Sequence, residues 1–119
     1  MTTSSSRLVT SEEGGVTRVG FVDRNILEEA FIQRIGDEIS ALVDEAANPK
    51  ILLNFENVEH LSSAALGTLI TVNQKVRNKG GQLRLCNIDK QIYEVFVITK
   101  LNKLFQIHDD VDGAMKSFK

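Results

Sequence analysis

An α/β fold with a mixed β-sheet is predicted: an opening antiparallel hairpin, then mainly parallel strands separated by helices. Three features of the 119-residue chain carry this expectation. Gly14-Gly15 joins two strand-like runs over a link too short for a crossover. Two long stretches, stopped by Asn48-Pro49 and by Gly80-Gly81, repeat apolar residues every three or four positions. Each gives way to a short apolar run, and strands that alternate with helices pair in parallel through right-handed crossovers.

Residues 1–6 are small and polar with nothing to bury, so they read as a disordered lead before a single domain over 7–119. Arg7–Ser11 is a first strand, Glu12–Gly15 the turn and Val16–Val22 a second, alternating strand. A long helix follows, with Leu27, Phe31, Ile35, Ile39, Leu42 and Ala46 as its apolar stripe. Asp23 or Asn25 is its expected cap, and Glu28 and Glu29 suit the dipole of its first turn. Lys50–Asn54 lacks alternation, as a strand covered on both faces does. A second helix spans Ser63–Asn78, with Leu66, Leu69, Ile70 and Val76 on one side and Lys79-Gly80-Gly81 closing it. Gln82–Cys86 is a strand, Asp89–Thr99 a helix carrying Ile92, Val95, Phe96 and Ile98, Leu104–Ile107 a short strand and Asp110–Phe118 a last helix. The order is β-β-α-β-α-β-α-β-α.

A chain of this length suits one core. Its formal charge of −2, without a strongly basic stretch, gives nucleic-acid binding no support. The single cysteine, Cys86, excludes an internal disulfide and a cysteine-based zinc site, and its apolar surroundings predict an inert buried thiol. No run reaches the roughly 18 apolar residues of a membrane span, and the N-terminus lacks the apolar segment of a secretory signal. A cytoplasmic, reducing setting with no membrane association is the default expectation.

The stretch with most functional content is Val58-Glu59-His60-Leu61-Ser62-Ser63-Ala64-Ala65-Leu66-Gly67. It carries the chain from a buried strand into a helix. Serine caps helices because its hydroxyl accepts a bond from an orphan N–H of the first turn. A helix start also favours negative charge. Ser62 and Ser63 therefore read in two ways: as caps alone, or as hydroxyls held at the surface where a phosphate is tolerated. Asp23 ends the second strand on the side where such loops gather, which lets it meet the serines or cap the first helix.

Catalytic chemistry lacks its parts. The histidines are His60 and His108, and the G-x-S-x-G elbow that positions a serine nucleophile is missing. His60 reads as an exposed loop residue beside a binding surface. Neither Gly14-Gly15 nor Gly80-Gly81 matches a nucleotide-binding fingerprint, and no His/Asp/Glu spacing suggests a metal. No cofactor and no enzymatic activity are expected.

The element order, together with the strand that leads through Phe55–Gly67 into a helix, resembles the STAS domain, and more narrowly the bacterial anti-sigma factor antagonists, over nearly the whole chain from Arg7. The resemblance implies helices mostly on one face of the sheet. The family's loop commonly reads Asp-Ser-Ser-Gly-Leu-Gly, with the first serine phosphorylated. Leu66-Gly67 sets the register, so Ser62 takes the aspartate's place, Ser63 the phosphoserine's, Ala64 the second serine's and Ala65 the glycine's. Two departures follow: a carboxylate is lost at Ser62, and Ala65 restricts the backbone if positive φ is needed. The implied function is partner switching. The unmodified protein binds an anti-sigma serine kinase with a histidine-kinase-like ATP fold and frees a sigma factor; phosphorylation of Ser63 ends binding and a phosphatase restores it. Asp23, His60, Ser62, Ser63, Ala64 and Leu66 form the expected docking surface on a monomer or weak dimer. The alternative is a scaffold: an unphosphorylated interaction module in a larger signalling or transporter-associated complex.

Overall fold

The structure is a computed structural model that describes residues 8–118. The expected lead at 1–6 and the first expected strand residue, Arg7, lie outside the described residues.

The hairpin consists of β1 (Leu8–Glu13) and β2 (Val16–Phe21), paired antiparallel. At its tip Gly14 and Gly15 have φ of +59° and +82°, the left-handed pair that matches a tight turn to the twist of its strands. The turn is tighter than expected, because Glu12 and Glu13 continue β1 opposite Thr17 and Val16.

The chain then runs through β3 (Asn25–Ile26), α1 (Glu29–Glu45), β4 (Lys50–Asn54), β5 (His60–Leu61), α2 (Ser63–Asn78), β6 (Gln82–Cys86), α3 (Lys90–Ile98), a 3-10 turn at Leu101–Lys103, β7 (Gln106–His108) and α4 (Val111–Ser117). The main sheet has the order β1-β2-β4-β6-β7 and is parallel everywhere except at the hairpin. β3 and β5 form a separate parallel ribbon that the sequence did not reveal, since two residues are too few for alternation to register.

One face of the main sheet, bearing Val19, Phe21, Ile51, Leu53, Leu83 and Leu85, packs against α1, α2 and α3. The other face presents Val16, Leu52 and Cys86 to α4, where Ala114 is buried. β4 is apolar at consecutive positions because both of its faces are covered, as expected.

Three details correct the sequence reading. The buried stripe of α1 is Ile32, Ile35, Ile39 and Val43, while Leu27 precedes the helix and is exposed. Ile35 and Ile39 are buried as expected; Phe31 and Leu42 are only partly buried against the core, and Ile32 and Val43 complete the stripe in their place. Neither Asp23 nor Asn25 caps α1: Asn25 is a strand residue, and Glu28 occupies the cap without a side-chain bond. In α2, Ile70 faces solvent and Val72 and Asn73 are buried instead. A Cβ on Gly36 of α1 would lie 2.7 Å from Thr68 Cγ2, so the missing side chain lets α2 lie close against α1. Among the described residues, no helix is long and apolar enough to cross a membrane.

Candidate functional site

β4 ends at Asn54, and the next eight residues carry the chain to α2. Phe55 dips into the core, 1% exposed, with its ring centroid 4.9 Å from that of Phe21. Its N–H donates to Cys86 O at 3.0 Å, which ties the loop to the end of β6. Asn54 Oδ1 accepts from Glu56 N and from Asn87 Nδ2, both at 3.0 Å. Asn87 has φ of +56°, a left-handed conformation that asparagine adopts more readily than most residues. Asn57 Nδ2 donates to Phe21 O at 3.2 Å, fixing the loop to the end of β2.

The small ribbon completes the frame. It sets Asn25 opposite His60 and Ile26 opposite Leu61. Arg24 O accepts from Glu59 N at 2.7 Å and His60 N at 3.1 Å, and Ile26 O accepts from Ser62 N at 3.2 Å. The residues before α2 are thus held by backbone bonds on one side and by the Asn54–Asn87 contact on the other. Ser63 sits on a rigid frame at the carboxyl end of the sheet, where partners of α/β sheets dock.

The two serines have different tasks. Ser62 is the N-cap: its backbone is extended (φ −81°, ψ 165°) and its Oγ accepts from Ala65 N at 3.2 Å. A serine cap is worth about 1 kcal/mol. Aspartate caps equally well, so the serine makes the same cap as the aspartate that the resemblance leads one to expect at this position. Ser63 is the first residue of α2, and its side chain is exposed. Ala64 beside it is also exposed. Ala65 has no positive φ and lies inside the helix, so the restriction expected from an alanine in place of glycine does not arise.

Electrostatically, the first turn of α2 contains no acidic residue. The N–H groups of Ser63 and Ala64 have no partner among the described residues, the ordinary condition of a helix start. A negative group on Ser63 Oγ meets the positive end of the helix dipole there.

The other expected docking residues divide. His60 is exposed two positions before Ser62 and borders an open cleft with Glu56, Glu59 and Asp89. Asp23 is half-buried and lines a different cleft, with Asn25, Glu28, Phe31 and Arg34, whose walls do not include Ser62 or Ser63. Leu66 points inward, 7% exposed and part of the core, so it offers a partner almost no surface. Burial on the helical face that packs on the sheet overrides its closeness in sequence to the serines.

Cys86 is fully buried, and that burial pushes its thiol up to about 11. It is protonated at neutral pH and is no nucleophile. Among the described residues, no group of three or more His, Cys, Asp or Glu side chains is placed to hold a metal ion.

Known proteins agree with this architecture. BtrV of Bordetella bronchiseptica is 25% identical over 96 residues, covering 81% of this chain and 82% of its own. The anti-sigma-B factor antagonist of Bacillus subtilis is 25% identical over 80 residues, covering 67% of this chain and 72% of its own. The solved structure of an anti-sigma-factor antagonist (STAS) domain protein from Planctomyces limnophilus superposes with a TM-score of 0.84 at 21% identity, covering 92% of this chain and 96% of that one. The family model described as the STAS domain matches residues 24–114. With the opening hairpin, the parallel strands and the serine-capped α2 already in place, that match settles the family: the chain belongs to the STAS domain proteins.

Proposed function

We propose that this protein is an anti-sigma factor antagonist regulated by phosphorylation of Ser63. In its unmodified form it binds an anti-sigma factor that is also a serine kinase, and the bound sigma factor is released. The kinase transfers phosphate to Ser63 Oγ and the complex separates; a phosphoserine phosphatase returns the protein to its binding form. The domain is a ligand and a substrate, acts in the cytoplasm and supplies no catalyst of its own.

The observation that carries this reading is the division of labour between the serines. Ser62 Oγ is engaged in the cap, whereas Ser63 is exposed at the first helical position beside it. The Bacillus subtilis relative is itself named an anti-sigma-B factor antagonist, which supports the same role here. The docking surface is Ser62, Ser63, Ala64 and His60, with Asp23 at its margin; Leu66 supports it from the core.

Phosphorylation adds roughly −1.5 to −2 charges and three strong acceptor oxygens. Within the free domain the helix dipole accommodates them. In a complex the same group must be desolvated against the partner. A loss of about 1.4 kcal/mol already lowers affinity tenfold, so binding switches without refolding.

Immobilised protein tests this in an extract of the source cell. A serine kinase of the histidine-kinase-like ATP fold should be retained without ATP and released when ATP is added. Retention of a larger complex indifferent to ATP, with no such kinase in it, would favour the scaffold role instead.

A further inference from the structure

Of the apolar residues that the sequence assigns to α3 (Lys90–Ile98), only Ile92 and Phe96 are buried. Val95 and Ile98 are exposed, as are Tyr93 and Val97. Ile98 leaves 78% of its surface in water, the most of any large apolar side chain among the described residues. Tyr93, Glu94, Val97 and Ile98 stand at i, i+1, i+4 and i+5, so they share the face of α3 turned away from Ile92 and Phe96. A single exposed apolar residue is ordinary, but three adjoining on one helical face mark a contact surface.

The charges around this face identify its occupant. Glu94 precedes Val97 by three residues, and Lys100 follows it by three. Both are exposed, and neither forms an ion pair among the described residues. Lys100 leaves the end of α3 in the left-handed conformation, with φ of +64°. Two copies of α3 crossing antiparallel about a twofold axis at Val97 set Glu94 of each beside Lys100 of the other. The apolar middle of the contact is then closed at both ends by opposite charges, and the two helix dipoles oppose each other. A parallel crossing in the same register puts Glu94 beside Glu94 and Lys100 beside Lys100, an arrangement that like-charge repulsion disfavours.

We propose that this face of α3 is a self-association surface on which a second copy of the chain docks antiparallel, giving a twofold-symmetric dimer. Such an interface is self-complementary, the same patch serving on both subunits. One nine-residue helix supplies an area at the small end of specific contacts, so the dimer is reversible and depends on concentration. α3 begins just after β6, whose carboxyl end is tied to the loop before Ser63. The centre of the contact lies toward the other end of the helix, and the inference does not depend on phosphorylation of Ser63.

Sedimentation equilibrium of the full chain over a concentration series tests this. The expected result is a monomer–dimer equilibrium. Glu94→Lys or Lys100→Glu alone should weaken it about tenfold, and the two together should restore it. All three variants change only exposed positions and should keep the wild-type circular dichroism spectrum and Tm. Val97→Cys, on the axis, should link two copies under mild oxidation, whereas Val9→Cys, equally open to water on β1, should not. A chain that stays monomeric up to about 1 mM, single reversals without effect, a double reversal that fails to restore association, or equal cross-linking at Val9 would each overturn the proposal.

Discussion

Ser63→Asp should weaken binding of the anti-sigma kinase at least tenfold while leaving the domain as stable as before, or slightly more stable. The two readouts move in opposite directions for one reason. Ser63 is the first residue of α2, with no acid in that turn. A carboxylate there interacts favourably with the helix dipole, typically by about 0.3–1 kcal/mol. The same carboxylate at a protein interface must give up water, and a loss of about 1.4 kcal/mol is enough for a tenfold change. Calorimetric titration against the captured kinase gives the affinity, and thermal unfolding gives the stability. Unchanged affinity would contradict the charge mechanism. Weakened binding accompanied by a large fall in Tm would assign the loss to unfolding instead.

Phe55→Ala should cost about 3–5 kcal/mol of folding stability, the range for removing a buried aromatic side chain. Phe55 is 1% exposed and packs on Phe21 with rings tilted by 34°. It also borders a small apolar void together with Ile26, Ile32 and Ala65, so truncation enlarges an existing imperfection rather than filling one. Because the Phe55 ring lies beneath the segment that leads to Ser63, the variant should also loosen the site. Urea unfolding measures the first effect; a loss below about 1 kcal/mol would mean that the site collapses around the gap.

Regular periodicity and turn chemistry made much of the fold readable. Gly14-Gly15 announced the hairpin and Asn48-Pro49 the end of α1. Lys50–Asn54 and Gln82–Cys86 appear with the same bounds in sequence and structure, because the first is a short apolar run after Asn48-Pro49 and the second alternates Leu83 and Leu85 with Gln82 and Arg84 after Gly80-Gly81. The centre of the α1 stripe, Ile35 and Ile39, was readable and its edges were not. Phe31 and Leu42 are as apolar as Ile32 and Val43, and the choice between them depends on how α1 meets α2 and the sheet. The β3–β5 ribbon was hidden for another reason: its stability comes from Arg24 O and Ile26 O receiving backbone donors from a segment more than thirty residues away in sequence.

At the site, the helix start and the pair of serines were visible from residue type alone. Which serine caps was not decided by capping preference, since both are good caps; the accepted bond from Ala65 N assigns that task to Ser62. The parts that hold the loop, Asn54, Asn57 and Asn87, carry no pattern, because they act through long-range or turn-specific hydrogen bonds.

The most direct test is to incubate the protein with its captured kinase and ATP, digest the product and locate the phosphate by mass spectrometry. Phosphate on Ser63 is the predicted result. Phosphate confined to Ser62 or to any other residue, or none while the kinase labels a control substrate, would contradict the account.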